Sequence, residues 1–266
     1  MSTGDKTKMG LAIELSGLRA LVTGSGQGVG LGIARMLASA GAEVVVNDLG
    51  AERAAAAADG IRAAGGKAIA ATFDVTSYAA VTAGIDGVGG IDILVNNAGN
   101  AGGEGWPGMR AFVETEPAEW EPFLRVNLYG VMNCVRAALP HMIEKRYGRI
   151  VTIVSDAGRI GESHMGAYCA AKAGAAGLTR GVAREVGRHG ITANNIALGT
   201  MRTPMSEALW SNPDSPQAKA LLKPYIIRRP GDPSDPAGLT AYLVSPMASW
   251  ITGQTFPVNG GFSVTQ

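Results

Sequence analysis

The chain alternates short, nearly unbroken apolar runs with longer stretches whose apolar residues recur at helical spacing. "LRALVTG" (Leu18 to Gly24) predicts a first buried strand. "GIARMLASAGA" (Gly32 to Ala42) then places Ile33, Met36 and Leu37 on one helical face. "AEVVVND" (Ala42 to Asp48) predicts a second strand, and alanine-rich "AERAAAAADGIRAAGG" a helix with a glycine stop. "KAIAATFD" (Lys67 to Asp74) and "GIDILVNN" (Gly90 to Asn97) predict the third and fourth strands. "EWEPFLRVNLYGVMNCVRAALPHM" reads as one long helix, and "GRIVTIVS" (Gly148 to Ser155) as a strand. A second long helix is expected from Tyr168 to roughly Arg188, then a strand in "ITANNIAL" (Ile191 to Leu198) and a last short one in "TFPVNGG".

Strand followed by helix, with strands apolar along their whole length, indicates a parallel sheet covered on both faces. No repeat or linker divides residues 1–266. The expectation is one α/β domain, a doubly wound, Rossmann-like parallel sheet. Residues 199–233 carry several prolines and no clear period. They are read as a mobile substrate lid, because segments after strand ends carry specificity.

Composition narrows the class. The chain is 46% hydrophobic and 17% charged, as a soluble globular domain would be, and its formal net charge is +1. No basic run suggests nucleic acid, and no apolar run approaches the ~18 residues of a membrane span. Cys134 and Cys169 are too few for a disulfide framework and read as small buried hydrophobes in a reducing compartment. The first fifteen residues lack the apolar core of a signal peptide. The expected location is cytoplasmic, and the expected partner is a small-molecule substrate. His141, His164 and His189 have no metal-ligand spacing, so no metal is expected.

Two patterns carry chemistry. "TGSGQGVG" (Thr23 to Gly30) lies between the first strand and the first helix. Glycines there allow a tight turn and close approach to a diphosphate, and the helix start supplies unpaired N–H groups. Asp48 ends the second strand about twenty residues later. Its carboxylate can accept hydrogen bonds from an adenosine ribose and repel a 2′-phosphate, which favours NAD over NADP. The second pattern is Tyr168 and Lys172, four apart and therefore on one helical face. A fixed ammonium beside the phenol is expected to lower its pKa.

With these residues the chain resembles the short-chain dehydrogenases/reductases, over about Leu15 to Val264. Thr23-Gly24 with Gly28 and Gly30 resembles the family's TGxxxGxG loop. Asp74-Val75 resembles its adenine-holding pair, and "NNAG" (Asn96 to Gly99) the motif closing the fourth strand. Asn127 falls at the active-site asparagine, and Ser155 stands at the usual spacing before the YxxxK pair. The resemblance implies catalysis by Asn127, Ser155, Tyr168 and Lys172. It implies cofactor contacts from Gly24, Gln27, Gly28, Val29, Gly30, Asp48, Leu49, Asp74, Val75, Asn97, Ala98, Gly99 and Thr203, besides Tyr168 and Lys172. NADP-using relatives often carry a cation where this chain has Gln27, which again favours NAD. Leu198-Gly199 departs from the family's Pro-Gly. Tyr168 would exchange the proton of a secondary alcohol, Ser155 would hold its oxygen, Lys172 would bind the nicotinamide ribose, and Asn127 would hold a relay water.

The substrate is less constrained. Met201, Met205, Trp210 and Tyr225 in the lid suggest a bulky apolar, alicyclic, steroid-like or hydroxyacyl-CoA compound. Arg159 and Arg202 either grip an anionic tail or are surface arginines. His164 is read as a loop-surface histidine, with substrate contact as the alternative, and Cys169 as a packing residue. The glycine-rich segment after the fourth strand transfers no substrate contacts. A 3-oxoacyl-carrier-protein reductase is the alternative function, although such enzymes usually take NADPH. A dinucleotide sensor without turnover is a further one. The resemblance also implies a homo-oligomer, a tetramer.

Overall fold

The apolar runs become parallel strands in the computed structural model, which describes residues 13–101 and 110–264. Most of the first fifteen residues, and the middle of the glycine-rich segment, lie outside the described residues. The strands are β1 (Arg19–Val22), β2 (Glu43–Asp48), β3 (Lys67–Thr72), β4 (Ile93–Asn96), β5 (Gly148–Ser155), β6 (Ile191–Leu198) and β7 (Thr255–Val258). Among the described residues they form one seven-stranded sheet in the order β3-β2-β1-β4-β5-β6-β7, and each neighbouring pair is parallel. The winding reverses between β1 and β4. A crevice opens there at the carboxyl ends of the strands, where such sheets bind ligands.

The helices are α1 (Gly28–Ser39), α2 (Ala51–Ala63), α3 (Tyr78–Gly87), α4 (Pro117–Leu124), α5 (Gly130–Lys145), α6 (Ala157–Ile160), α7 (Gly166–Val186), α8 (Glu207–Trp210), α9 (Pro216–Leu222) and α10 (Asp235–Val244). Strand side chains alternate between the two faces. Val44 and Val46 therefore join a core with Ile33 and Leu37 of α1, Ile61 of α2 and Leu243 of α10. Val45 joins the opposite core, with Val81 of α3, Met142 of α5 and Val186 of α7. Each fully buried leucine or isoleucine contributes about 1.5–3 kcal/mol, so truncating central Ile93 to alanine would cost about 2–5 kcal/mol. Met36, placed on the inner face by its spacing, is instead 37% exposed, because α1 turns that position past the edge of the apolar stripe.

Two further differences matter for the site. The long helix expected from 119 to 142 is broken by a π-helical turn, Arg125–Tyr129, between α4 and α5. Residues 199–233 carry two short helices around a small core of Trp210, Ala218, Leu222 and Tyr225. Trp210 thus points into that segment's own packing, and Tyr225, buried beside it, also borders the hollow under the segment. The Tyr225 hydroxyl donates to Thr200 Oγ1 at 2.8 Å and accepts from the Thr200 amide at 2.7 Å. Among the described residues, no helix is long and apolar enough to cross a membrane.

Candidate active site

The glycine loop sits at the crevice between β1 and β4. Gly24 has φ +62°, and a Cβ there would lie 2.9 Å from Ala98 Cα, so only glycine lets the loop pass the β4 end. Thr23 fastens the two together: its Oγ1 accepts from the amides of Asn97 and Ala98, each at 3.0 Å. Asn97 Nδ2 returns two bonds, to the carbonyls of Thr23 and Gly24, at 2.9 and 3.0 Å. Asn47, which the sequence reading did not single out, is buried beneath the loop. It accepts from the Gly24 amide at 3.4 Å and donates to the Phe73 carbonyl at 3.0 Å. Gln27 caps α1 without a side-chain hydrogen bond, which leaves the first-turn amides of Gly28, Val29 and Gly30 to the crevice.

The other expected cofactor residues ring this loop or flank it. Asp48 is 6% exposed at the end of β2. Leu49 beside it is exposed. Asp74 is exposed past β3 and accepts from the Thr76 amide at 2.8 Å, while Val75 is buried in the second core. Thr203 reaches the loop from the far side, its Cγ2 lying 3.6 Å from where a Gly28 Cβ would stand. An uncapped helix start, a loop with no room for side chains and a strand-end carboxylate together fit a dinucleotide's diphosphate and ribose.

Ser155, Tyr168 and Lys172 meet at the carboxyl end of β5. Burial of the Tyr168 phenol outweighs the favourable influence of the Ser155 hydroxyl, so the Tyr168 pKa is raised rather than lowered. This corrects the expectation of a depressed phenol. The Lys172 Nζ lies 5.9 Å from the Tyr168 ring centre and donates to the Ile153 carbonyl at 3.0 Å. Lys172 is itself buried, and desolvation pushes its pKa down to about 8.

Asn127 occupies the π-helical turn and is fully buried. Its Nδ2 donates to the carbonyls of Phe123 and Asn100 at 3.0 and 2.9 Å, and its Oδ1 accepts from the Asn100 amide at 3.1 Å. The side chain thus ties its own helix, at Phe123, to the loop past β4 at Asn100. A Cβ on Gly99 would lie 2.7 Å from Asn127 Oδ1 and 3.0 Å from Lys172 Nζ, so the missing side chain is what lets those groups approach.

A shallow recess opens beside Tyr168, with a cavity volume of about 30 Å³. Phe112, Trp120, Phe123 and His164 are among its walls. Phe112 and Trp120 stack at 5.2 Å, and Phe123 meets the Tyr168 ring edge-on at 6.5 Å. His164 has φ +65° and is exposed on its loop, as a surface histidine would be, at the wall of this recess. The hollow beneath the segment after β6, about 310 Å³, includes Met201, Tyr225 and Arg229 but neither Ser155 nor Tyr168. Arg159 and Arg202 each meet a carboxylate. Arg159 pairs with buried Asp156 at 2.5 Å, and Arg202 pairs with Glu207. Among the described residues no cluster of histidine, cysteine and acidic groups could hold a metal. Cys169 Sγ points to the Glu162 carbonyl, 3.7 Å away, off the Tyr168 face.

A sheet with a glycine-loop crevice and a serine–tyrosine–lysine group at its mouth defines a dinucleotide-dependent oxidoreductase architecture. The comparisons agree. A family profile described as enoyl-(acyl carrier protein) reductase matches residues 24–263. The chain is 38% identical to the (2S)-[(R)-hydroxy(phenyl)methyl]succinyl-CoA dehydrogenase subunit BbsD of Thauera aromatica, over 92% of this chain and 96% of that one. It is 37% identical to the 3-oxoacyl-[acyl-carrier-protein] reductase of Vibrio cholerae, over 94% and 98%. Among solved structures, a gluconate 5-dehydrogenase from Burkholderia cenocepacia in complex with NADP and tartrate superimposes with a TM-score of 0.86. It is 38% identical, over 95% of this chain and 98% of that one. The chain belongs to the short-chain dehydrogenase/reductase family. It is an oxidoreductase of hydroxyl and keto groups that uses a nicotinamide dinucleotide.

Proposed function

We propose that the chain interconverts a secondary alcohol and its ketone, prefers NAD, and takes a substrate with a bulky apolar, ring-bearing body. The observation that carries the substrate class is the aromatic recess formed by Phe112, Trp120 and Phe123 against Tyr168. The relative named for a phenyl-bearing hydroxyacyl-CoA supports it. Preference for NAD rests on buried Asp48 and on uncharged Gln27.

A bound nicotinamide supplies or accepts the hydride. The first-turn amides of α1 and the loop from Gly24 to Gly30 would hold its diphosphate, and Asp48 its adenosine ribose. Leu49, Asp74 and Val75 would flank the adenine, with Asn97, Ala98, Gly99 and Thr203 nearer the nicotinamide. Tyr168 takes the alcohol proton at its phenolic oxygen in oxidation and returns it to the carbonyl oxygen in reduction. Ser155 hydrogen-bonds the same substrate oxygen. Because burial raises the Tyr168 pKa, the phenolate needs positive charge gathered around it before it works near neutrality. Lys172 provides part of that charge, and its own proton, held at about pH 8, is exchangeable at working pH. Asn127, beside Lys172 across Gly99, would hold the water that replenishes it. Residues 199–233 would act as the substrate lid, hinged where Met201 pairs with Gly231.

The similarity to the Vibrio reductase favours one second reading, a 3-oxoacyl thioester on a carrier protein. Cofactor oxidation with an aryl or alicyclic ketone, against a straight-chain 3-oxoacyl thioester, separates the two. Faster turnover of the ring-bearing ketone or its CoA ester is expected. Turnover of the straight-chain thioester alone would replace the first reading by the second. Binding of NADH without turnover of any carbonyl would favour a sensor. We also propose the homotetramer implied by the family; exposed Tyr129, Met132 and Ile143 near and along α5 support an interface there.

A further inference from the structure

Asp48 does not stand alone. Its Oδ1 accepts from Arg53 Nε at 3.0 Å, from Arg53 Nη2 at 2.6 Å and from the Gly50 amide at 2.9 Å. Its Oδ2 accepts from the Gly26 amide at 3.2 Å. The pair is built into the loop. A Cβ on Gly26 would fall 2.6 Å from Asp48 Oδ2 and 2.8 Å from Arg53 Cβ, and a Cβ on Gly50 would fall 2.8 Å from the Arg53 guanidinium carbon. Two glycines therefore leave the space that the ion pair fills. The carboxylate is 9% exposed and the Arg53 side chain 51%, so the cation forms the solvent-facing half.

This changes what the crevice offers to an adenosine ribose. A bare carboxylate repels a 2′-phosphate, but a carboxylate paired with a guanidinium carries no net charge, and the half that faces outward is positive. Arginine binds phosphate oxygens through a planar fork of donors and can shift between a carboxylate and a phosphate. We propose that Arg53 is a specificity-determining residue: it offsets Asp48 and accepts the 2′-phosphate, so that NADP(H) is a usable second cofactor. This rests on the reading that Asp48 faces the adenosine ribose. The Burkholderia relative, whose structure is in complex with NADP, shows that a chain of this similarity binds that cofactor.

Equilibrium binding of 2′,5′-ADP and of 5′-AMP to the full chain isolates the 2′-phosphate without any turnover. In the wild type the two ligands are expected to bind within about tenfold of one another. In Arg53→Gln, 2′,5′-ADP is expected to weaken relative to 5′-AMP by a further tenfold or more, about 1.4 kcal/mol. Arg53→Lys keeps the charge but not the fork and falls between. Raising salt weakens 2′,5′-ADP more than 5′-AMP in the wild type and removes that difference in Arg53→Gln. An affinity ratio in Arg53→Gln within about twofold of the wild-type ratio, or equal weakening of both ligands, overturns the proposal, the second result marking Arg53 as a packing residue. Asp48→Asn then tests the underlying reading separately. It should tighten 2′,5′-ADP relative to 5′-AMP, and if it leaves the ratio unchanged while Arg53→Gln lowers it, the Asp48 assignment fails and the Arg53 role stands.

Discussion

Buried carboxylates and the buried lysine around the crevice are treated in opposite ways. Asp48 and Asp156 are 6% and 2% exposed, and each carboxylate is met by an arginine and by further hydrogen-bond donors. Lys172 is 6% exposed and has a single carbonyl acceptor in the Ile153 bond, with burial as the cause of its shift. A charge met by an opposite charge keeps its proton state and ties segments together. A charge left to one neutral acceptor stays close to giving its proton up. The first arrangement suits a scaffold and the second suits chemistry.

Activity shows the largest effect. Tyr168→Phe and Lys172→Met should each lower kcat by about 10²–10⁴, the usual range for losing a positioned acid–base group, in steady-state assays with the best ketone found. Retention of near-full activity by Tyr168→Phe would remove the assignment.

Stability should sort the two arrangements the other way. Asp156→Ala strands the Arg159 guanidinium, which is 17% exposed, and frees the carboxyl-terminal turn that Asn259 and Ser263 hold to Asp156 at 2.5 and 3.0 Å. A loss of about 3–5 kcal/mol is expected in urea denaturation. A change under about 1 kcal/mol would show that the network only decorates the fold, on the order-of-magnitude scale of exposed pairs.

The pH dependence is smaller. Lys172 is protonated in both folded and unfolded chains below about pH 8, so the burial cost is present there in full. Above that the folded chain releases the proton while the unfolded one keeps it, up to the ordinary lysine range. The wild type should therefore gain stability relative to Lys172→Met between pH 8 and about 10, by no more than about 3 kcal/mol. A constant difference across that window would mean that Lys172 is not buried as described. Smallest of all, Gly99→Ala crowds Asn127 Oδ1 and Lys172 Nζ and should cost kcat roughly tenfold with little change in cofactor affinity.

The same contrast explains what could be read from sequence. β5 and β6 were legible to the residue because helices cover both their faces, so that β-branched and other apolar residues dominate them even though Arg149, Thr152, Thr192, Asn194 and Asn195 interrupt the runs. The glycine loop, Asp48, Ser155, Tyr168 and Lys172 could be singled out because the proposed chemistry needs particular residue types at fixed places, and the structure gathers them at the crevice. Side-chain direction was not legible. Composition does not say that Trp210 and Tyr225 turn inward, that Arg159 meets Asp156, or that the chain between 119 and 142 widens by one residue at Asn127. Arg53 was missed although it stands five residues beyond Asp48, because the Leu49–Gly50 turn, not helical spacing, folds it back onto the carboxylate.

The most direct test of the account is one preparation of Lys172→Met, assayed for ketone reduction and unfolded in urea at about pH 7. Turnover should fall by about a hundredfold or more, while stability stays within about 1 kcal/mol of the wild type or rises, because an unpaired buried charge has been removed. Retained turnover, or activity lost together with several kcal/mol of stability, would contradict the claim that this lysine is kept for chemistry rather than for the fold.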